Sequence, residues 1–292
     1  MTAGSLGRRT GPFIVTKEPR RFTEFAHTIR THRTIGLCFG PAGVGKTLSA
    51  RRHAHWDVAE ALLQTWGPRE PSDDKVYAAL ARSRTVFHTP TVGGTLRALR
   101  QDLDLMTTRV DICIKQDEKT DSDGKRFGSR DSMVELIILD EAERLSTAAV
   151  EYLRDMFDRT TIGLMFIGMP GIEKRMARYP QLYSRVGFAH HYRPLQGDEL
   201  TFVLTRHWRT LGLSLDNADF TDTQAIAAIS RITNGNFRLL HSCSFRLSGS
   251  CVSTNCVSSQ RMWSRPPAAH SLLAPHSVED STPLIAEDHM QR

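Results

Sequence analysis

Little in this chain points toward a membrane or toward covalent cross-links. No apolar stretch approaches the roughly 18 residues of a membrane-crossing helix, so no membrane partner is expected. Arg8 and Arg9 are followed by no apolar segment, so a cytoplasmic location is expected rather than secretion. Cysteine is sparse and scattered. Cys38 and Cys113 sit in apolar settings, while Cys243, Cys251 and Cys256 come late. An odd number of cysteines with no export signal argues against a disulfide framework. The late three, even with His241 nearby, lack the paired short spacing of a zinc site. His53 and His55 are two apart, which points them in different directions on a helix, and they read as part of a polar helix face.

What is present suits one large α/β domain and a small one: 292 residues, 40% of them hydrophobic. The net charge of +6 mildly favours a polyanionic partner. Basic residues gather over Lys17–Arg33, Arg97–Arg130 and Lys174–Arg193. Any one cluster is equally a solvated face, and Asp117, Glu118, Asp121 and Asp123 dilute the second.

Residues 40–47 read GPAGVGKT, which is Gly, four variable positions, Gly, Lys and Thr, the P-loop pattern. The apolar run Ile35–Phe39 precedes it and a helical stretch over Leu48–Gln64 follows, the strand–loop–helix setting that a glycine-rich turn with no ligand would not need. Gly40, Gly43 and Gly45 allow the backbone, with Pro41, Ala42, Val44 and Leu48 around them, to aim N–H groups at phosphate oxygens. The helix start adds partial positive charge there. Lys46 is placed for the β- and γ-phosphates and Thr47 for Mg²⁺, so ATP and Mg²⁺ are the expected cofactors.

Residues 136–141 read LIILDE, four apolar residues and then two acids. Such a run suits a parallel strand buried on both faces, with its acids where open α/β sheets bind ligands. Asp140 would hold Mg²⁺ and Glu141 would polarise an attacking water. A surface helix opening with acids is the alternative, since Glu143 and Arg144 follow.

Further elements are expected as a helix over Phe22–Ile29, a loop over Thr65–Asp74, a strand at Thr85–Thr89, a helix at Thr95–Leu105 and a strand at 135–139. Then come a helix from Ser146, as N-cap, to Asp158, a strand at Thr161–Ile167, a helix near Ile172–Arg178 and a strand at Val186–His191. Residues 110–131 read equally as a hairpin or a flexible insertion. Strands alternating with helices imply a parallel sheet. From Gly197 the pattern turns helical. Asp198 caps Glu199–Leu211, with Leu200, Val203, Leu204 and Trp208 on one face; Thr221 caps a run through Ile232 that Asn234–Gly235 ends.

A nucleotide-binding sheet with a small helical lid is the architecture of AAA+ ATPases. Ser184–Arg185–Val186 resembles the element that carries the arginine finger of clamp loaders, so Arg185 would complete a neighbouring subunit's site. Gly235–Asn236–Phe237–Arg238 resembles the sensor-2 segment of initiator-type members, giving Arg238 a place at the nucleotide. More narrowly, GPAGVGKTLSARRHA, LIILDEAERL and FIGMPGIEKRMARYPQLYSRVGFAHHYRPL resemble the ATPases of DNA transposition, of the TniB, TnsC and Mu B type, over residues 13–240. That resemblance implies an α/β P-loop fold with a parallel five-stranded sheet and a lid, ATP hydrolysis, ring or helical self-assembly on duplex DNA, and a transposase partner. Arg97, Arg100, Lys115 and Lys119 are the candidate DNA contacts. One departure stands out: Gly168 and Met169 occupy the end of the fourth strand, where sensor 1 is usually polar, so weak positioning of water and slow, switch-like turnover are expected.

The expected organisation is a tail at 1–12, a nucleotide-binding domain at 13–195, a partial lid at 196–241 and an irregular tail at 242–292. Ser, Cys and Pro crowd that last segment where a lid helix should continue. It therefore reads as disordered, or as frameshifted near codons 241–243. Two other readings stay open: a nucleotide switch or secretion-type ATPase with protein partners only, and an inactive remnant.

Overall fold

The computed structural model describes residues 14–68, 70–121, 132–210 and 220–240, which belong to one compact unit. Strands β1 (Ile35–Phe39), β2 (Thr85–His88), β3 (Leu136–Leu139), β4 (Gly163–Gly168) and β5 (Val186–His191) make a parallel sheet in the order β2-β3-β4-β1-β5. The expected α/β fold with five parallel strands is therefore the one adopted. β3 and β4 are buried along their whole length, as apolar runs covered on both faces should be, whereas β5 is an edge and largely exposed. β4 lies between β1 and β3, with Phe39 level with Gly168 and Leu139 level with Phe166. The loops leaving β1 and β3 therefore converge over the end of β4.

Helix α1 (Lys17–His32) is longer than the Phe22–Ile29 segment expected, and fixes Phe22, Ala26 and Ile29 in the core. The single helix expected over Leu48–Gln64 is two, α2 (Lys46–His53) and α3 (Trp56–Thr65). They separate at Ala54–His55, where His55 adopts a left-handed φ of 51°. The break turns Trp56 inward against Phe87, with ring centroids 6.1 Å apart. His53 is half-buried rather than set on an open polar face. Its Nε2 is shut from solvent without a partner, and burial pushes its pKa down to about 4.

The expected loop at Thr65–Asp74 contains a short 3-10 turn, Pro71–Asp73. The next helix, α4 (Asp74–Ser83), was not anticipated; it buries Val76, Tyr77 and Leu80. α5 (Leu96–Asp121) runs well past Leu105. Leu99, Leu103, Val110, Cys113 and Ile114 continue one buried stripe, so 110–121 is helix rather than hairpin or insertion. Residues 122–131 lie outside the described residues. Ser146 caps α6 (Thr147–Arg159) as expected, its Oγ accepting from the Ala149 N–H at 3.2 Å. α7 (Ile172–Met176) is followed by an unanticipated turn of helix, α8 (Pro180–Tyr183), with proline at its first position.

α9 (Gly197–Thr210) takes Asp198 into its first turn, and α10 (Phe220–Thr233) takes in Thr221, so neither residue is the cap expected. Leu195, Leu200, Val203, Leu204, Ile229 and Leu240 gather with Ile14 in a second apolar cluster. Asn234 and Gly235 end α10 in left-handed conformations, φ 45° and 70°. The Trp208 side chain and the tail from residue 241, with its cysteines and the expected frameshift, lie outside the described residues. No described helix is long and apolar enough to cross a membrane.

Candidate active site

The loop leaving β1 turns through Gly43 (φ 75°) and Gly45 (φ 112°), conformations that L side chains rarely adopt. It delivers Lys46 and Thr47 into the first turn of α2. Lys46 is buried, and its Nζ donates to the carbonyls of Gly40 (2.6 Å) and Pro41 (2.7 Å). Burial lowers its pKa, partly offset by Cys38, Asp140 and Glu143, while Arg238 adds to the lowering. Lys46 thus shares its field with acids from the β3 loop and with the arginine that follows α10.

Thr47 Oγ1 donates to Asp140 Oδ2 at 2.7 Å. Two residues 93 positions apart, picked out by two separate motifs, meet as a hydroxyl and a carboxylate. Asp140 is buried, which raises its pKa; the bonds from Thr47 and from the Glu141 backbone pull it back toward the charged form. The Asp140 N–H is fixed by the His88 carbonyl at 2.9 Å, so β2 braces the exit of β3.

The Glu141 side chain does not join that pair. It sits in a left-handed conformation (φ 50°), and its carboxylate pairs with the guanidinium of Arg144. Arg144 in turn donates to the Pro90 carbonyl at 3.0 Å, at the exit of β2. Arg185 is held in a similar way. Its Nη2 and Nε donate to the Asp158 carboxylate at 2.9 and 2.5 Å, and its Nη1 to the Gln181 carbonyl. The Arg185 bond holds the Asp158 pKa below its usual value. Arg238 is exposed, and its backbone N–H donates to the Gly43 carbonyl at 3.1 Å, which places it at the P-loop.

Three contributors escaped the sequence reading. A side chain at Gly168 would place its Cβ 2.9 Å from Glu143 Oε2 and 3.0 Å from Ile172, so the Glu143 carboxylate fills the space a polar sensor-1 side chain would claim. The Tyr192 hydroxyl bonds Ser49 Oγ on α2 at 2.9 Å, while its N–H donates to Phe39. Asn236 Nδ2 donates to the Ala42 carbonyl at 2.9 Å. Each depends on contact between segments remote in sequence, and no spacing rule signals them.

The basic residues divide into structural and exposed ones. Arg30 and Arg33 pair with Glu135, Arg175 donates to the Glu143 and Leu145 carbonyls, and Arg109 donates to the Leu63 carbonyl. Arg97, Arg100 and Lys115 are exposed on α5. Arg97 and Lys115 share one helix face, about 27 Å apart at 1.5 Å per residue. Asp104 is exposed in the same stripe, and Arg100 lies over the Tyr152 ring at 5.1 Å. The Lys119 side chain lies outside the described residues, as do Lys125, Arg126 and Arg130.

The sequence profile of the AAA domain matches residues 29–176. A Staphylococcus aureus protein described as a potential ATP-binding protein is 38% identical over 232 residues, covering 78% of this chain and 85% of its own. Among solved structures, the ADP form of the Aeropyrum pernix ORC2 protein superposes with a TM-score of 0.50 at 14% identity, covering 86% of this chain and 68% of that one. The Thermotoga maritima RuvB Holliday junction branch migration motor gives 0.48 at 15% identity over 82% of this chain, which spans 64% of that motor's length. At 14% identity the likeness to the ORC2 protein speaks for the fold alone. The sheet order, the P-loop between β1 and α2, the matching profile and the bacterial relative agree: the chain belongs to the AAA domain family.

Proposed function

We propose that the protein binds and slowly hydrolyses ATP with Mg²⁺, assembles on duplex DNA, and hands that DNA to a transposase. The nucleotide part rests on the Thr47–Asp140 hydrogen bond. A hydroxyl and a buried carboxylate in contact, beside a lysine tethered to the P-loop, form a donor set suited to a hard divalent cation next to phosphates. Bound there, Mg²⁺ would neutralise charge on the β- and γ-phosphates. Gly40, Pro41, Ala42, Gly43, Val44, Gly45 and Leu48 form the cradle. Lys46 balances phosphate charge, and Arg238 approaches from the lid side.

Hydrolysis asks more of the chain. Glu141 is the base in this reading, and Arg185 the finger that reaches a neighbouring subunit. Each must exchange a present partner, Arg144 or Asp158, to act. Turnover is therefore slow in the isolated chain and rises on assembly.

The DNA and transposase parts are supported by the resemblance over residues 166–195 and by the exposed cations Arg97, Arg100 and Lys115, with Lys119 in the same helix. The test is duplex binding across a salt series with ATP, ADP and no nucleotide. ATP-dependent binding that weakens steeply with salt is expected. Binding indifferent to nucleotide, or none, would leave a nucleotide switch with protein partners.

A further inference from the structure

Asn236 stands in the turn after α10 and works in two directions. Its Oδ1 accepts from the N–H groups of Arg238 (3.0 Å) and Leu239 (3.2 Å), capping the helical residues that begin at 237. Its Nδ2 donates to the Ala42 carbonyl at 2.9 Å, while the Arg238 N–H also donates to the Gly43 carbonyl at 3.1 Å. Two successive P-loop carbonyls are thus gripped by one turn almost two hundred residues away. The fit is close: a Cβ at Gly43 would lie 2.3 Å from Asn236 Oδ1. The turn is itself anchored, since the Leu195 N–H donates to the Gly235 carbonyl at 3.1 Å and Leu240 packs into the second apolar cluster.

A trans peptide points its C=O and N–H in opposite directions. Holding the carbonyls of residues 42 and 43 toward the lid turn therefore directs the N–H groups of Gly43 and Val44 the other way. Those N–H groups belong to the loop that would cradle phosphate. We infer that Asn236 is a positioning residue for nucleotide: it orients P-loop donors through their carbonyls and makes that orientation depend on where the lid turn sits. This rests on the ATP-binding reading above. Asn236 itself need not touch the nucleotide, and its effect falls on phosphates that ATP and ADP share.

The experiment compares the full chain with Asn236→Ser and Asn236→Ala. Serine keeps a cap acceptor but lacks the reach to Ala42; alanine loses both. Affinities for ATP and for ADP are measured by calorimetry, with KM and kcat from steady-state hydrolysis and thermal midpoints without nucleotide. Both variants should weaken ATP and ADP alike by about five- to tenfold, the worth of one or two hydrogen bonds. KM should rise in step and kcat at saturation should stay within about twofold. The serine variant should melt close to the parent, which separates positioning from folding. Affinities within about twofold of the parent for both nucleotides in the serine variant, or a fall in kcat without a rise in KM, overturn the inference. A parent that binds neither nucleotide brings down the ATP-binding reading first, and this inference with it.

Discussion

The two halves of the site differ in how far the chain completes them. On the binding half, Lys46 is seated on P-loop carbonyls and Thr47 already bonds Asp140. On the hydrolytic half, both groups assigned to the γ-phosphate are engaged elsewhere: Glu141 with Arg144, and Arg185 with Asp158 and the Gln181 carbonyl. The first set is complete within one folded chain. The second requires partners to be exchanged, which a neighbouring subunit or DNA could drive. Under the proposed function, a protein built this way would hold nucleotide readily and turn it over only on assembly.

The sharpest way to break this contrast is to remove one group from each half. Lys46→Ala should weaken ATP and ADP by about a hundredfold, since it deletes charge-assisted bonds to phosphate. Glu141→Gln should bind ATP like the parent yet hydrolyse it about a hundredfold more slowly, the usual contribution of a general base. Calorimetry and single-turnover hydrolysis read the two effects separately. Parent-rate hydrolysis by Glu141→Gln would remove Glu141 as the base and bring Glu143, beside Gly168, into consideration.

A smaller effect guards against confusing chemistry with folding. His53 is held neutral, its pKa near 4 against an ordinary 6.5. The unfolded chain therefore binds the extra proton first. Stability is fully present above pH 6.5 and is lost as pH falls toward 4, by at most about 3 kcal/mol. Denaturant midpoints across that range should fall for the parent and stay flatter for His53→Phe. Equal slopes would place His53 in water. Activity comparisons accordingly belong above pH 6.5.

The smallest expected effect is on the latch itself. Arg144→Ala should release the Glu141 carboxylate and raise basal turnover several-fold, with nucleotide affinity unchanged. A fall as deep as that of Glu141→Gln would instead make Arg144 part of the active arrangement.

The binding half was legible in sequence because its chemistry is written in consecutive residues: glycines where the backbone turns left-handed, and an all-apolar strand ending in acids. The five strands were legible for the same reason, as short apolar runs. The helices were less so. The break at His55 carries no glycine or proline, and α5 continues through a charged stretch because Val110, Cys113 and Ile114 keep its buried stripe going. α4 hid behind a proline-containing loop, although its Val76, Tyr77 and Leu80 follow helical spacing. Glu143 and Asn236 could not be read from sequence, because the contacts that define them join segments only the fold brings together.

The central contrast is tested most directly by ATP turnover per subunit over a dilution series of parent and Arg185→Ala, each with and without duplex DNA. A finger acting on a neighbour predicts that parent turnover per subunit climbs with concentration until assembly saturates. DNA should move that climb to lower concentration by gathering subunits along its phosphates. Arg185→Ala should stay flat while binding nucleotide like the parent. Constant turnover per subunit in the parent, matched by Arg185→Ala, would mean that one chain completes its own site, and the division into a finished and an unfinished half would be wrong.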